Sequence, residues 1–86
     1  MLNAITYRPL SVIAREISRD WKNVNYAAEP YLRAMASMGD ITEPYGSDSG
    51  LSIVQYFLCN ASTWRGETAK YIKAELKAMI AGKPVK

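Results

Sequence analysis

Ser49-Gly-Leu-Ser-Ile-Val-Gln-Tyr-Phe-Leu-Cys-Asn-Ala-Ser-Thr-Trp64 carries no charged residue, and nine of its sixteen positions are apolar or aromatic. Leu51, Val54, Leu58 and Ala61 recur at helical spacing, with Ile53, Tyr56 and Phe57 as a second stripe beside them. Ser47, Asp48 or Ser49 offers an oxygen to cap the first turn. Only Ser52, Gln55 and Asn60 interrupt the apolar circumference. A helix apolar nearly all round is one that other helices enclose. Residues 49–61 are therefore predicted to form the central, buried helix of the fold.

Three further helices are expected around it. Toward the C-terminus, Ala69, Ile72, Leu76, Met79 and Ile80 make one core face. That helix is predicted to start with Ser62 or Thr63 as its cap and to stop at Gly82, with Pro84 beyond. Toward the N-terminus, Ala28, Tyr31, Leu32, Met35 and Met38 form the buried side of a helix with Pro30 in its first turn and Gly39 at its end. Leu10, Ile13, Ala14, Ile17 and Trp21 define the first helix, from about Pro9 to Lys22. Asp40 to Gly50 reads as a loop holding one helical turn begun by Thr42. No segment shows strand-like alternation. The expected fold is all-α: a compact bundle of four helices in a single domain over residues 1–86, with short flexible ends at about 1–7 and 82–86.

The composition narrows the chemistry. The chain has 86 residues, no histidine and one cysteine. Without histidine there is no His general base, no His-containing triad and no His metal ligand. One cysteine makes no internal disulfide and no paired-thiol metal or redox motif. Cys59, with no cation beside it in sequence, is read as a small core residue. Asp40, Glu43 and Asp48 lack the ligand spacing of a calcium loop. Gly46 and Gly50 are not followed by the Gly-Lys-Ser/Thr of a phosphate-cradling loop. Glu16 and Asp20 are read as solvated, with Glu16 in a weak surface pair with Arg19. No cofactor, metal or catalytic residue is predicted, and the chain is read as no enzyme. No apolar run reaches membrane-span length and the N-terminal residues lack the pattern of a secretory signal. A cytoplasmic protein without membrane contact is expected.

The surface offers three candidate interfaces. Residues 63–86 hold six cations against Glu67 and Glu75, whereas residues 1–43 balance five against five. Lys70, Lys73 and Lys77, extended by Lys83 and Lys86, make one basic stripe; Arg8, Arg15, Arg19 and Lys22 make another. Side by side, Lys70, Lys73, Lys77, Arg15 and Arg19 would meet nucleic-acid phosphates. The nine aromatic residues lead to a different surface. Trp21 and Trp64 are read first as closing the ends of the core. Otherwise Trp64 joins Arg65, Tyr71 and Tyr45 in docking a partner protein, since such side chains concentrate binding energy. The strip Ala74, Ala78 and Ala81 would admit a second helix closely, as in a homodimer.

Asp20-Trp-Lys-Asn-Val-Asn-Tyr-Ala-Ala-Glu-Pro-Tyr-Leu-Arg-Ala-Met35, Tyr45-Gly-Ser-Asp-Ser-Gly50, Ile53-Val-Gln-Tyr-Phe-Leu-Cys-Asn-Ala-Ser-Thr-Trp-Arg-Gly-Glu-Thr-Ala69 and Ile72-Lys-Ala-Glu-Leu-Lys-Ala-Met79 together resemble a family of small tailed-bacteriophage proteins with no assigned activity. The resemblance spans about Leu10 to Ile80. It implies a phage product acting in the bacterial cytoplasm, one that binds and modulates a host or host-defence protein rather than catalysing a reaction. The alternative is a nucleic-acid-binding module built on the basic C-terminal helix.

Overall fold

The computed structural model describes residues 7–82. They form α1 (Leu10–Asp20), α2 (Glu29–Met35), β1 (Pro44–Tyr45), β2 (Asp48–Ser49), α3 (Gly50–Cys59) and α4 (Glu67–Ala81). The expected all-α bundle of four helices is the architecture found. Of the ends expected to be flexible, all but Tyr7 and Gly82 lie outside the described residues, as do Lys83 and Lys86. Tyr7 packs against the core, and Gly82 closes α4 in the left-handed conformation at φ 71°.

α1 and α3 each pack between α2 and α4, so the four helices surround one contiguous core. α1 turns Leu10, Ile13, Ala14 and Ile17 inward. Each such large side chain contributes roughly 1.5–3 kcal/mol when fully buried. No side chain caps the start of α1. Its first N–H groups instead donate to the chain that follows α2: Leu10 to the Gly39 carbonyl at 2.9 Å and Ser11 to that of Met38 at 2.8 Å. The end of one helix thus satisfies the beginning of another. α2 stops at Met35, short of the expected Met38. Ser37 and Met38 continue in a tighter turn, donating to the carbonyls of Ala34 and Met35.

The loop holds a correction. A single turn does close ahead of Pro44, the Glu43 N–H donating to the Asp40 carbonyl at 3.0 Å, but beyond it β1 and β2, unexpected from the sequence, pair antiparallel as a hairpin, Pro44 opposite Ser49 and Tyr45 opposite Asp48. Strands two residues long have no alternation to read. The acids before the hairpin serve the backbone: Asp40 accepts from the Thr42 N–H at 2.9 Å, and Glu43 accepts from those of Gly39 and Asp40. Ser49 then caps α3, its hydroxyl accepting from the Ser52 N–H at 3.2 Å.

α3 is buried on one side only. Ile53, Val54 and Phe57 enter the core, but Leu51, Gln55, Tyr56 and Cys59 are exposed. Enclosure all round, and a core position for Cys59, are therefore corrected: ten residues flanked by two principal neighbours leave an open outer side. α4 also starts later than expected, at Glu67 behind Gly66 with φ 117°. The chain must first turn the Trp64 side chain inward, and neither Ser62 nor Thr63 serves as a cap.

Gly50 is the most crowded of the glycines. A Cβ there would lie 2.5 Å from the Ile41 carbonyl oxygen, where the loop backbone crosses the start of α3 and Glu43 accepts from the Gly50 N–H at 2.7 Å. Because the obstacle is backbone, Gly50→Ala is expected to cost about 1–3 kcal/mol. A urea titration should show a lower midpoint at an unchanged slope; an unmoved midpoint would mean that the loop yields freely.

Candidate functional site

Trp64, the leading sequence candidate for a partner contact, is interior. It is 2% exposed and stacks on Trp21 at 5.8 Å between centroids and 13° between planes. Phe57 meets both indoles edge-on. The Trp64 Nε1–H donates to the Asp20 carboxylate at 2.8 Å. This is the core-closing role that the sequence favoured for the two tryptophans, and it withdraws Trp64 from any docking surface. Asp20, expected merely to be solvated, is the acceptor that lets the indole be buried. Asp20→Ala would leave that N–H unpaired and should cost about 1–3 kcal/mol, readable as a shifted fluorescence melt.

The remaining candidates divide between two surfaces. Tyr45 is exposed on β1, ahead of α3, and Arg65 is exposed beyond its C-terminal end. Roughly 15 Å of helix separates those two ends. Tyr71 is exposed on α4. The four predicted partner residues therefore make no single patch.

The two basic stripes do not merge either. Arg19 borders a groove with Glu16, Asp20 and Thr68, whereas Lys70 and Lys73 border another with Arg65 and Glu67. Thr68 and Lys73 lie about 140° apart around α4 at 3.6 residues per turn. The arginines of α1 and the lysines of α4 are thus on different flanks. Arg8 leaves its predicted stripe altogether. Its Nη2 and Nε bind the two carboxylate oxygens of Glu75 at 2.7 and 2.9 Å, and its Nη1 binds Glu16 at 2.7 Å. Lys73 is half-buried, donating to the Trp64 carbonyl at 2.6 Å, with its ammonium 5.8 Å from the Trp64 ring centroid.

Glu75 is the residue that sequence reading missed. It is 3% exposed among the core side chains of α4. A signal was present, since it falls three residues after Ile72 and four before Met79, on the apolar face. What could not be read was its partner, 67 positions away. The Arg8 guanidinium holds the Glu16 carboxyl below its ordinary range, with a smaller opposing effect of desolvation and a further pull from the Arg19 charge. The stabilisation from Glu16 is complete above its unfolded-state pKa and fades as pH falls through the lower folded value. Removing Arg8 alone strands a buried carboxylate, so Arg8→Met should cost about 3 kcal/mol, whereas Arg8→Met with Glu75→Leu should recover most of it. A double-mutant cycle in urea, with Glu75→Leu as the second single variant, measures the coupling; losses that simply add would show that the pair contributes nothing.

What the fold assembles without charge is the outer side of α3. Leu51, Gln55 and Cys59 recur every four residues along it, and Tyr56, 47% exposed, stands beside them. From α2, the half-buried Tyr31 ring leans on Tyr56 at 5.4 Å between centroids. α1 and α4 present Arg15, Arg19, Lys70 and Lys77 to solvent; α3 presents no charge at all. Among the described residues, no cluster of His, Cys, Asp or Glu could hold a metal, and no helix is long and apolar enough to cross a membrane. No family model, curated protein or solved structure matches this chain.

Proposed function

We propose that this chain is a non-catalytic module that binds and modulates a protein of a bacterial host, a defence protein included, through the outer face of α3. The observation that carries the reading is an exposed helix side with no charge, in a chain of net charge +3. Uncharged side chains lose little when covered, whereas lysine and glutamate lose their hydration, which is why interface centres are poor in them. Tyr56, propped by Tyr31, is the aromatic anchor such a centre needs. With no charge to pair, the complementary surface is an apolar helix stripe, not an acidic or basic one. Tyr45 is exposed on the hairpin that leads into α3. The phage-family resemblance supplies the host as the setting.

The non-catalytic part rests on how the carboxylates are used. Glu16 and Glu75 bind Arg8, Asp20 binds the Trp64 indole, Asp40 and Glu43 bind backbone N–H groups, and Glu29 pairs with Arg33. Acids committed as acceptors in this way are poor proton shuttles.

Cys59, the single cysteine, is exposed on this face and takes a thiol-directed photo-crosslinker directly. Irradiation in host extract is expected to give one dominant protein adduct, at least tenfold weaker for Leu51→Glu and Tyr56→Glu and undiminished for Lys22→Glu. An adduct indifferent to the first two changes, or an adduct only with a second copy of this chain, would overturn the assignment.

A further inference from the structure

The solvent side of α4 is a second surface, independent of the face of α3, and its chemistry differs. Lys70, Lys73 and Lys77 follow one another at three and four residues, a row about 10 Å long at 1.5 Å per residue. Arg65 extends the row past the N-terminal end of α4, where it shares a groove with Lys70 and Lys73. Around the helix, Ala74 and Ala78 come next after the lysines, and Tyr71, 57% exposed, stands on their far side. At 100° per residue Tyr71 stands about 100° from Lys70, 120° from Lys77 and 160° from Lys73, so the ring occupies the flank next to the cations, across a low floor of methyl groups.

No carboxylate among the described residues pairs with these cations, although Lys73 is held on the Trp64 carbonyl. The ion pairs among the described residues belong to Arg8 and Arg33, and none involves Arg65, Lys70 or Lys77. Glu67 is the one acid bordering the groove, against the three positive side chains of Arg65, Lys70 and Lys73. The Lys73 proton is held less tightly than usual, chiefly through burial and then through the Lys77 and Arg65 charges. These groups therefore feel one another, and a bound polyanion would relieve the repulsion.

We propose that Arg65, Lys70, Lys73 and Lys77 track the phosphate backbone of a single-stranded nucleic acid, with one base stacked on Tyr71. A row of cations selects a linear polyanion over a compact anion. The exposed ring favours a single strand over an acidic protein, because every base has a face to stack and a carboxylate has none. It also disfavours a duplex, whose base faces are already covered. Ala74 and Ala78 let the strand lie close to the helix between phosphate row and ring.

The test is fluorescence anisotropy with labelled pyrimidine oligonucleotides of about 12 residues, inside the usual site-size range, as DNA and as RNA. Binding should weaken as salt rises, with a log–log slope near −2 to −3 for about four neutralised phosphates. Lys70→Glu with Lys77→Glu should lower affinity at least tenfold, and Tyr71→Ala about fivefold or more. Glu67→Gln should raise it, and Arg15→Glu with Arg19→Glu should leave it within about twofold. All of these side chains except Lys73 are exposed, so the variants keep the fold, which a circular-dichroism melt checks. Preference between the DNA and RNA strands identifies the natural ligand type. The proposal is overturned by no binding at low salt, by equal affinity for the matching duplex with no effect of Tyr71→Ala, or by polyglutamate competing as well as the oligonucleotide.

Discussion

The stacking of Trp21 on Trp64 is the contact on which the rest of this small structure depends. It joins the exit of α1 to the corner between α3 and α4, with Phe57 of α3 wedged edge-on against both rings. Large rings bury much apolar surface with few rotatable bonds, so one cluster replaces several aliphatic contacts that a chain of this size cannot supply. The cluster can be interior only because Asp20 accepts the Trp64 N–H. A cost follows for the chain around it: residues 60–66 bend to deliver the indole inward, so α4 begins at Glu67 without a side-chain cap. The same corner holds Lys73 on the Trp64 carbonyl, which sets one edge of the lysine row.

At the opposite end of α1, Arg8 is the counterpart of that cluster. It bridges Glu16 of α1 and Glu75 of α4, and so ties the N-terminal segment to the last helix. A carboxylate as buried as Glu75 is tolerable only with a charged, bidentate partner. With one end closed by stacking and the other by an ion triad, α1 and α4 are held together from both sides. α3 packs inward with Ile53, Val54 and Phe57, joined by the half-buried Leu58, and its outer side remains open.

Much of the fold was legible. Leu10, Ile13, Ala14 and Ile17 on α1, and Ala69, Ile72, Leu76 and Met79 on α4, were placed in the core by their spacing and are there, because an amphipathic stripe has only one way to hide. Ser49 starts α3 and Gly82 stops α4 as their types imply. The functional surfaces were less legible. Trp64 was offered as a contact because aromatic residues favour both cores and interfaces, and only its surroundings separate the two. Cys59 and Tyr56 were counted with the enclosed residues, since an uncharged side facing a partner is written in the same letters as one facing a core. Glu75 was visible as an oddity on an apolar face, but Arg8, far off in the chain, was not visible as its answer.

By itself, then, the order of residues determined four helices, their inward faces and the absence of histidine chemistry, because helical periodicity and side-chain inventory are local properties. Only the tertiary structure decided which helix keeps an open side, that the α1 arginines and α4 lysines occupy separate flanks, and that Tyr71 is exposed where Trp64 is buried. Those outcomes depend on how helices rotate against one another, and that rotation is set by contacts such as Trp21 with Trp64 and Arg8 with Glu75, between residues remote in the chain.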